Sequence, residues 1–137
     1  KGAVVVRDAA RRKALAIDDP KTANMISRNI EIRQGRKRSE IKVGGPIVRI
    51  GVAGGARNMR KYGEFKGKGK GNPGGDTWYW RLIEFGFYNE KSGRDVPANP
   101  FMRSSFSESS GKVVDTIVTA ANGELDKEIA KLNTGGR

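Results

Sequence analysis

Carboxylates are the only side chains in this sequence that could run acid–base chemistry. Its 137 residues contain no histidine and no cysteine. That removes the commonest general base and metal ligand, along with thiolate nucleophiles, disulfides and zinc–thiolate sites. Asp76, Glu84, Glu90 and Asp95 lie in or beside an aromatic stretch, but their spacing brings no two of them to a shared pocket. Glu84 differs from the rest. It is set among Trp80, Leu82, Ile83 and Phe85, so once buried it must find a partner, as an ion pair or a helix cap. The expectation is a protein that is not an enzyme and holds no metal or cofactor.

The other chemistry within reach is contact with phosphate. The chain has 27 Lys and Arg against 15 Asp and Glu, a net charge of +12. Residues 1–75 hold 19 basic and 6 acidic side chains, or +13, and residues 76–137 hold 8 and 9, or −1. A field of this kind attracts polyanions and repels copies of the same chain unless something neutralises it. Arg36, Lys37 and Arg38 are adjacent, and Lys66, Lys68 and Lys70 alternate with glycine inside 54–75, where eight of twenty-two residues are glycine. That stretch reads as a flexible basic loop, able to follow a phosphate backbone, line a pore or order itself on a neighbouring subunit. It lacks the Gly-Lys-Ser/Thr ending of a nucleotide-binding P-loop. A basic face meeting an acidic protein is the competing reading.

These residues must be positioned by a modest core, since 137 residues suffice for a single domain over 1–137. Residues 2–17 show apolar positions at helical spacing, with Val5, Ala9 and Leu15 on one stripe and Val6, Ala10, Ala14 and Ile17 beside it. Asp18-Asp19-Pro20 should stop this N-terminal helix by residue 19, because the residue before proline disfavours the α region. A short helical turn is expected over 21–27. Strands are expected near 29–34, 40–43 and 47–53, where apolar and polar residues alternate, and these suggest an antiparallel meander over 29–53. Residues 112–132 form the clearest helix, with Val114, Ile117, Val118, Ala121, Leu125, Ile129 and Leu132 on one face. Gly123 at its middle invites a bend or a close helix contact. The fold class is therefore α+β, a small antiparallel sheet of three or four strands packed by N- and C-terminal helices.

Between sheet and final helix, residues 76–110 hold Trp78, Trp80, two of the three tyrosines and four of the five phenylalanines. So dense an aromatic cluster marks a core or an interface. A polar excursion over 89–95 is closed by Pro97 and Pro100, and Pro100 is expected to start a helical turn that folds Phe101 back onto Trp80 and Phe85. Ser107–Gly111 are expected to separate this turn from the long helix.

The pattern Glu84-Phe85-Gly86, a variable loop, then Pro97-Ala98-Asn99-Pro100-Phe101-Met102-Arg103 and a long terminal helix resembles the head–tail connection and tail-component family of lambdoid tailed phages. That family includes the neck protein of Hong Kong-type phages and minor tail protein Z of phage lambda. The likeness extends over the C-terminal part of the chain and holds for the N-terminal part in layout only. Family members tend to carry Thr after the glycine, where this chain has Phe87. They also carry a Thr-Gly-x-Leu turn into the first strand, where it has Thr22-Ala23-Asn24-Met25. The resemblance implies a structural virion protein of the neck or tail top, made in the host cytoplasm during assembly. It implies a homo-oligomeric ring around the DNA channel, a hexamer ahead of a dodecamer, touching adjoining neck and tail proteins. Trp78, Trp80, Glu84, Phe85, Gly86, Pro97, Pro100, Phe101 and Arg103 would be its structural and interface residues. Arg36, Lys37, Arg38, Lys66, Lys68 and Lys70 would face DNA or an adjoining ring.

A free, sequence-independent nucleic-acid-binding protein is the alternative. Such a protein is expected to interleave stacking aromatics with its basic residues, yet only Tyr62 and Phe65 lie in the basic loop. That separation favours the assembly reading. No run reaches the roughly 18 apolar residues of a membrane span, and no secretory signal pattern opens the sequence. With Lys1 and not Met at its start, the numbering reads as beginning inside a longer or processed chain.

Overall fold

The computed structural model describes residues 1–22, 24–53 and 73–134. Among them the element order is α1 (Gly2–Leu15), α2 (Ile26–Asn29), β1 (Ile30–Gln34), α3 (Lys37–Val43), β2 (Val48–Val52), α4 (Trp80–Phe85), β3 (Phe87–Asn89), β4 (Arg94–Val96) and α5 (Met102–Thr134). The architecture is α+β, with two antiparallel hairpins, β1–β2 and β3–β4, packed with an N-terminal and a long C-terminal helix. Lys66, Lys68 and Lys70 lie outside the described residues.

α1 buries Gly2, Val6, Ala10 and Ala14. This is the stripe beside the expected one, and its small side chains let the α5 backbone come close. The two helices run antiparallel. Gly2 sits against Val113 and Ile117, while Lys13 at the other end bonds Ser104 and Glu108 of α5. On α5 the facing residues are small too, with Ser105 and Ser109 buried. The Ser105 hydroxyl donates to the Phe101 carbonyl, so a polar side chain is buried there without an orphaned group.

The core forms where this helix pair meets α2 and the first hairpin. Ala10, Ala14, Ile26, Ile30 and Phe101 are fully buried, and Ile17, Ile50, Val52, Tyr79, Trp80, Ile83 and Met102 pack around them. Burial pushes the Tyr79 phenol above its ordinary value, and the negative charges of Asp18 and Asp76 push it further. In the first hairpin Ile30, Ile32 and Gln34 pair with Val52, Ile50 and Val48, while Glu31 faces Gly51 and Arg33 faces Arg49. Apolar residues thus take one face and charged ones the other.

Three expectations need correction. Residues 40–43 are not a strand but the second half of α3. β1 pairs directly with β2 in a two-stranded sheet, so this segment has no neighbour to satisfy its backbone and bonds locally instead. Gly44, at φ 73°, ends the helix, and its N–H and that of Gly45 donate to the Glu40 carbonyl. The helical turn expected over 21–27 instead occupies Ile26–Asn29. Its start is set by Asp18, whose carboxylate accepts from the Ile26 and Ser27 N–H groups at 2.7 and 2.9 Å. Finally, α5 runs unbroken through Ser107–Gly111. The hydroxyls of Ser104, Ser110 and Thr116 donate to carbonyls three or four residues back, so these residues bond along the helix axis without ending it.

Candidate functional site

The aromatic stretch folds as one clasp. Glu84 is 1% exposed, and its carboxylate accepts from the Met102 N–H at 2.9 Å, the Arg103 N–H at 3.0 Å and Arg103 Nε at 3.2 Å. It caps the first turn of α5, where unpaired backbone donors and the helix dipole favour a negative charge. Arg103 also donates to the Glu84 carbonyl at 2.8 Å and lays its guanidinium 4.7 Å from the Phe85 ring centroid. Phe101 is buried in the core cluster on which Trp80 and Ile83 pack, whereas Phe85 is exposed and has Arg103 over it. Gly86 has φ 73°, and a Cβ there would lie 2.7 Å from the Val96 carbonyl oxygen and 2.9 Å from the Ala98 nitrogen. Only glycine fits. Asn99 N–H donates to the Ile83 carbonyl at 2.8 Å and closes the clasp. Pro100 lies two residues before α5, and Pro97 follows β4 directly. Trp78 is half exposed and meets Tyr79 edge-on at 6.2 Å.

With its carboxylate committed to three donors, Glu84 serves structure. Glu90 and Asp95 are exposed on the β3–β4 hairpin, away from it in role. Among the described residues no group of three or more acidic side chains could hold a metal.

A basic groove was not foreseen as a unit. Arg33 of β1, Arg36 before α3, Arg49 of β2 and Arg81 of α4 line one depression of about 570 Å³, together with Glu31 and Gln34. Arg36 was expected to meet anions, while Lys37 and Arg38 are exposed on α3 beside it and do not line the groove. Arg33, Arg49 and Arg81 were missed. The signal for two of them was present, since Arg33 and Arg49 both sit on the polar side of an alternating strand. Arg81 reaches the groove by tertiary packing, its guanidinium 5.3 Å from the Trp80 ring centroid.

The second surface is on α5. At 100° per residue, Phe101, Ser105 and Ser109 lie on the side of α1, and the apolar stripe centres roughly 170° around the helix from them. Val114, Ile117, Val118, Leu125, Ile129 and Leu132 are accordingly 51–77% exposed. The expected apolar face exists, but apart from Ile117, whose edge touches Gly2 of α1, it looks away from this chain's own core. Near the start of α5, Val6, Val48, Ile50, Met102 and Phe106 line an apolar groove of about 420 Å³ with Arg103 at its edge.

No protein-family model, curated protein or solved structure matches this chain. Among the described residues no helix is long and apolar enough to cross a membrane.

Proposed function

We propose that this chain is a non-enzymatic assembly subunit, a structural protein of the tailed-phage neck or tail top that forms a homo-oligomeric ring around the DNA channel. The observation that carries the assembly reading is the α5 stripe. Six large apolar side chains more than half exposed along one helix face mark a surface that a protein partner covers. The occupant is a second copy. The stripe and the groove lined by Val6, Val48, Ile50, Met102 and Phe106 lie toward opposite ends of α5, and contact between two different patches of one chain generates a ring where the rotation closes and a filament where it does not. The phage assignment draws on the signature resemblance, to which the clasp gives a physical reason. Glu84, Gly86, Phe101 and Arg103 act together to fix the angle at which α5 leaves the body. In such a ring the basic half of the chain faces DNA or an adjoining neck or tail protein.

Light scattering and negative-stain imaging of the purified chain test this. The expected result is a closed ring, six copies ahead of twelve, that V118D/L125D converts to a folded monomer. A wild-type chain that stays monomeric at all accessible concentrations, and is unchanged by V118D/L125D, overturns it.

A further inference from the structure

The outward face of the first hairpin carries a repulsion that the described residues do not offset. Arg33 and Arg49 are direct cross-strand partners, and like charges at that position destabilise a strand pair. Glu31 engages Arg33, accepting from Nε at 3.0 Å and Nη2 at 2.9 Å. Arg49 bonds the neutral Ser39 hydroxyl at 3.2 Å. Arg36 and Arg81 add two further cations to the same groove. Four guanidiniums with one carboxylate among them leave a concentrated positive charge, held on four different elements of the fold. Guanidiniums are the donors best matched to phosphate oxygens, because their planar fork bonds two at once.

We propose that this groove binds the phosphodiester backbone of nucleic acid, without reading its bases. Four guanidiniums lining one groove of about 570 Å³ suit a polymer that carries several anions better than a single phosphate. The nearby Trp80 face is occupied by Arg81, so it offers no platform for a base. The site deepens the assembly reading only in supplying the DNA that such a ring would enclose; its chemistry stands on the groove alone.

The test is the salt dependence of binding to two duplex DNAs of unrelated sequence, followed by fluorescence anisotropy with the full chain. Removing one arginine–phosphate pair should lower the slope of log affinity against log salt by about 0.9. R33Q/R49Q is therefore expected to lower it by nearly 2 on both duplexes, whereas the charge-matched K127Q/K131Q leaves it unchanged. Without DNA, R33Q/R49Q should melt at or above the wild-type temperature, because a repulsion has been removed. If it melts lower, R36Q/R81Q, outside the strands, gives the same reading of the slope. Equal slope changes in the groove and control variants overturn the proposal, as does tighter binding to polyglutamate than to duplex DNA of equal charge. Light scattering on the same samples separates the two readings. A ring with an unchanged slope removes the groove and keeps the assembly, and a monomer whose slope falls does the reverse.

Discussion

At the scale of single residues, carboxylates set the helix starts. Asp18 caps α2 from eight residues upstream, and Glu84 caps α5 across the β3–β4 hairpin. In each case the acid supplies what the local sequence lacks: Met25, at the N-cap of α2, makes no side-chain cap bond. Removing the Glu84 carboxylate leaves two backbone donors of α5 without their acceptor and takes from Arg103 its one carboxylate bond. Glu84→Ala should therefore cost roughly 2–3 kcal/mol, since hydrogen bonds to charged groups are worth that much. Thermal melting would read this as a drop of roughly 3–4 °C per kcal/mol for a chain of this size. Glu84→Gln keeps one acceptor and should cost less. An unchanged melting temperature in Glu84→Ala would mean that the clasp is held by Phe101 and Gly86 alone. The need for a partner could be read from an acid set among aromatics. Which partner could not, because it comes from eighteen residues away in the chain.

At the scale of elements, period and packing part company. The 3.6-residue period of α5 is plain in the sequence, and the helix forms where it is expected and beyond. Most of its apolar stripe nevertheless faces outward, while the small residues Ser105 and Ser109 are the ones it buries. Gly2, the first residue of α1, already meets Val113 and Ile117, so Leu125, Ile129 and Leu132 lie beyond the paired part of α5 and stay exposed. Residues 40–43 show the converse, an alternating pattern with no strand beside it that takes the helix its own backbone can satisfy. Gly123, expected to mark a bend or a close contact, has nothing within 4 Å of where a Cβ would stand. Gly123→Ala should raise stability by about 1 kcal/mol, measured by urea denaturation of the monomeric V118D/L125D background. A loss of stability there would show that the helix depends on freedom at that position.

At the scale of the whole molecule, two long-range forces oppose each other. The chain carries +12, so copies repel, while in the proposed ring burial of the α5 stripe against the groove of a second copy would draw them together. Screening weakens the first and leaves apolar burial intact, with the Debye length falling from about 10 Å at 0.1 M salt to about 3 Å at 1 M. The ring population should accordingly rise with salt, and rise at low salt when a polyanion is added. Sedimentation velocity over a salt series checks this. Dissociation as salt increases would instead assign the contact between copies to ion pairs such as Arg103 with Glu124 or Glu128.

Local and periodic properties were determined by the sequence alone. The α+β class, the two terminal helices, the first and last strands of the sheet, the concentration of charge in residues 1–75 and the exclusion of thiol and imidazole chemistry all follow from residue type and short-range spacing. What the tertiary structure decided is which residues of distant segments share a surface. Glu84 meets the start of α5, Arg81 joins Arg33, Arg36 and Arg49, and α1 pairs with α5 only as far as Val113 and Ile117, leaving the apolar residues beyond exposed. Periodicity reports how an element presents its faces, but every face has several possible partners. The choice among them depends on backbone separation and on buried donors and acceptors, which exist only once the segments have come together.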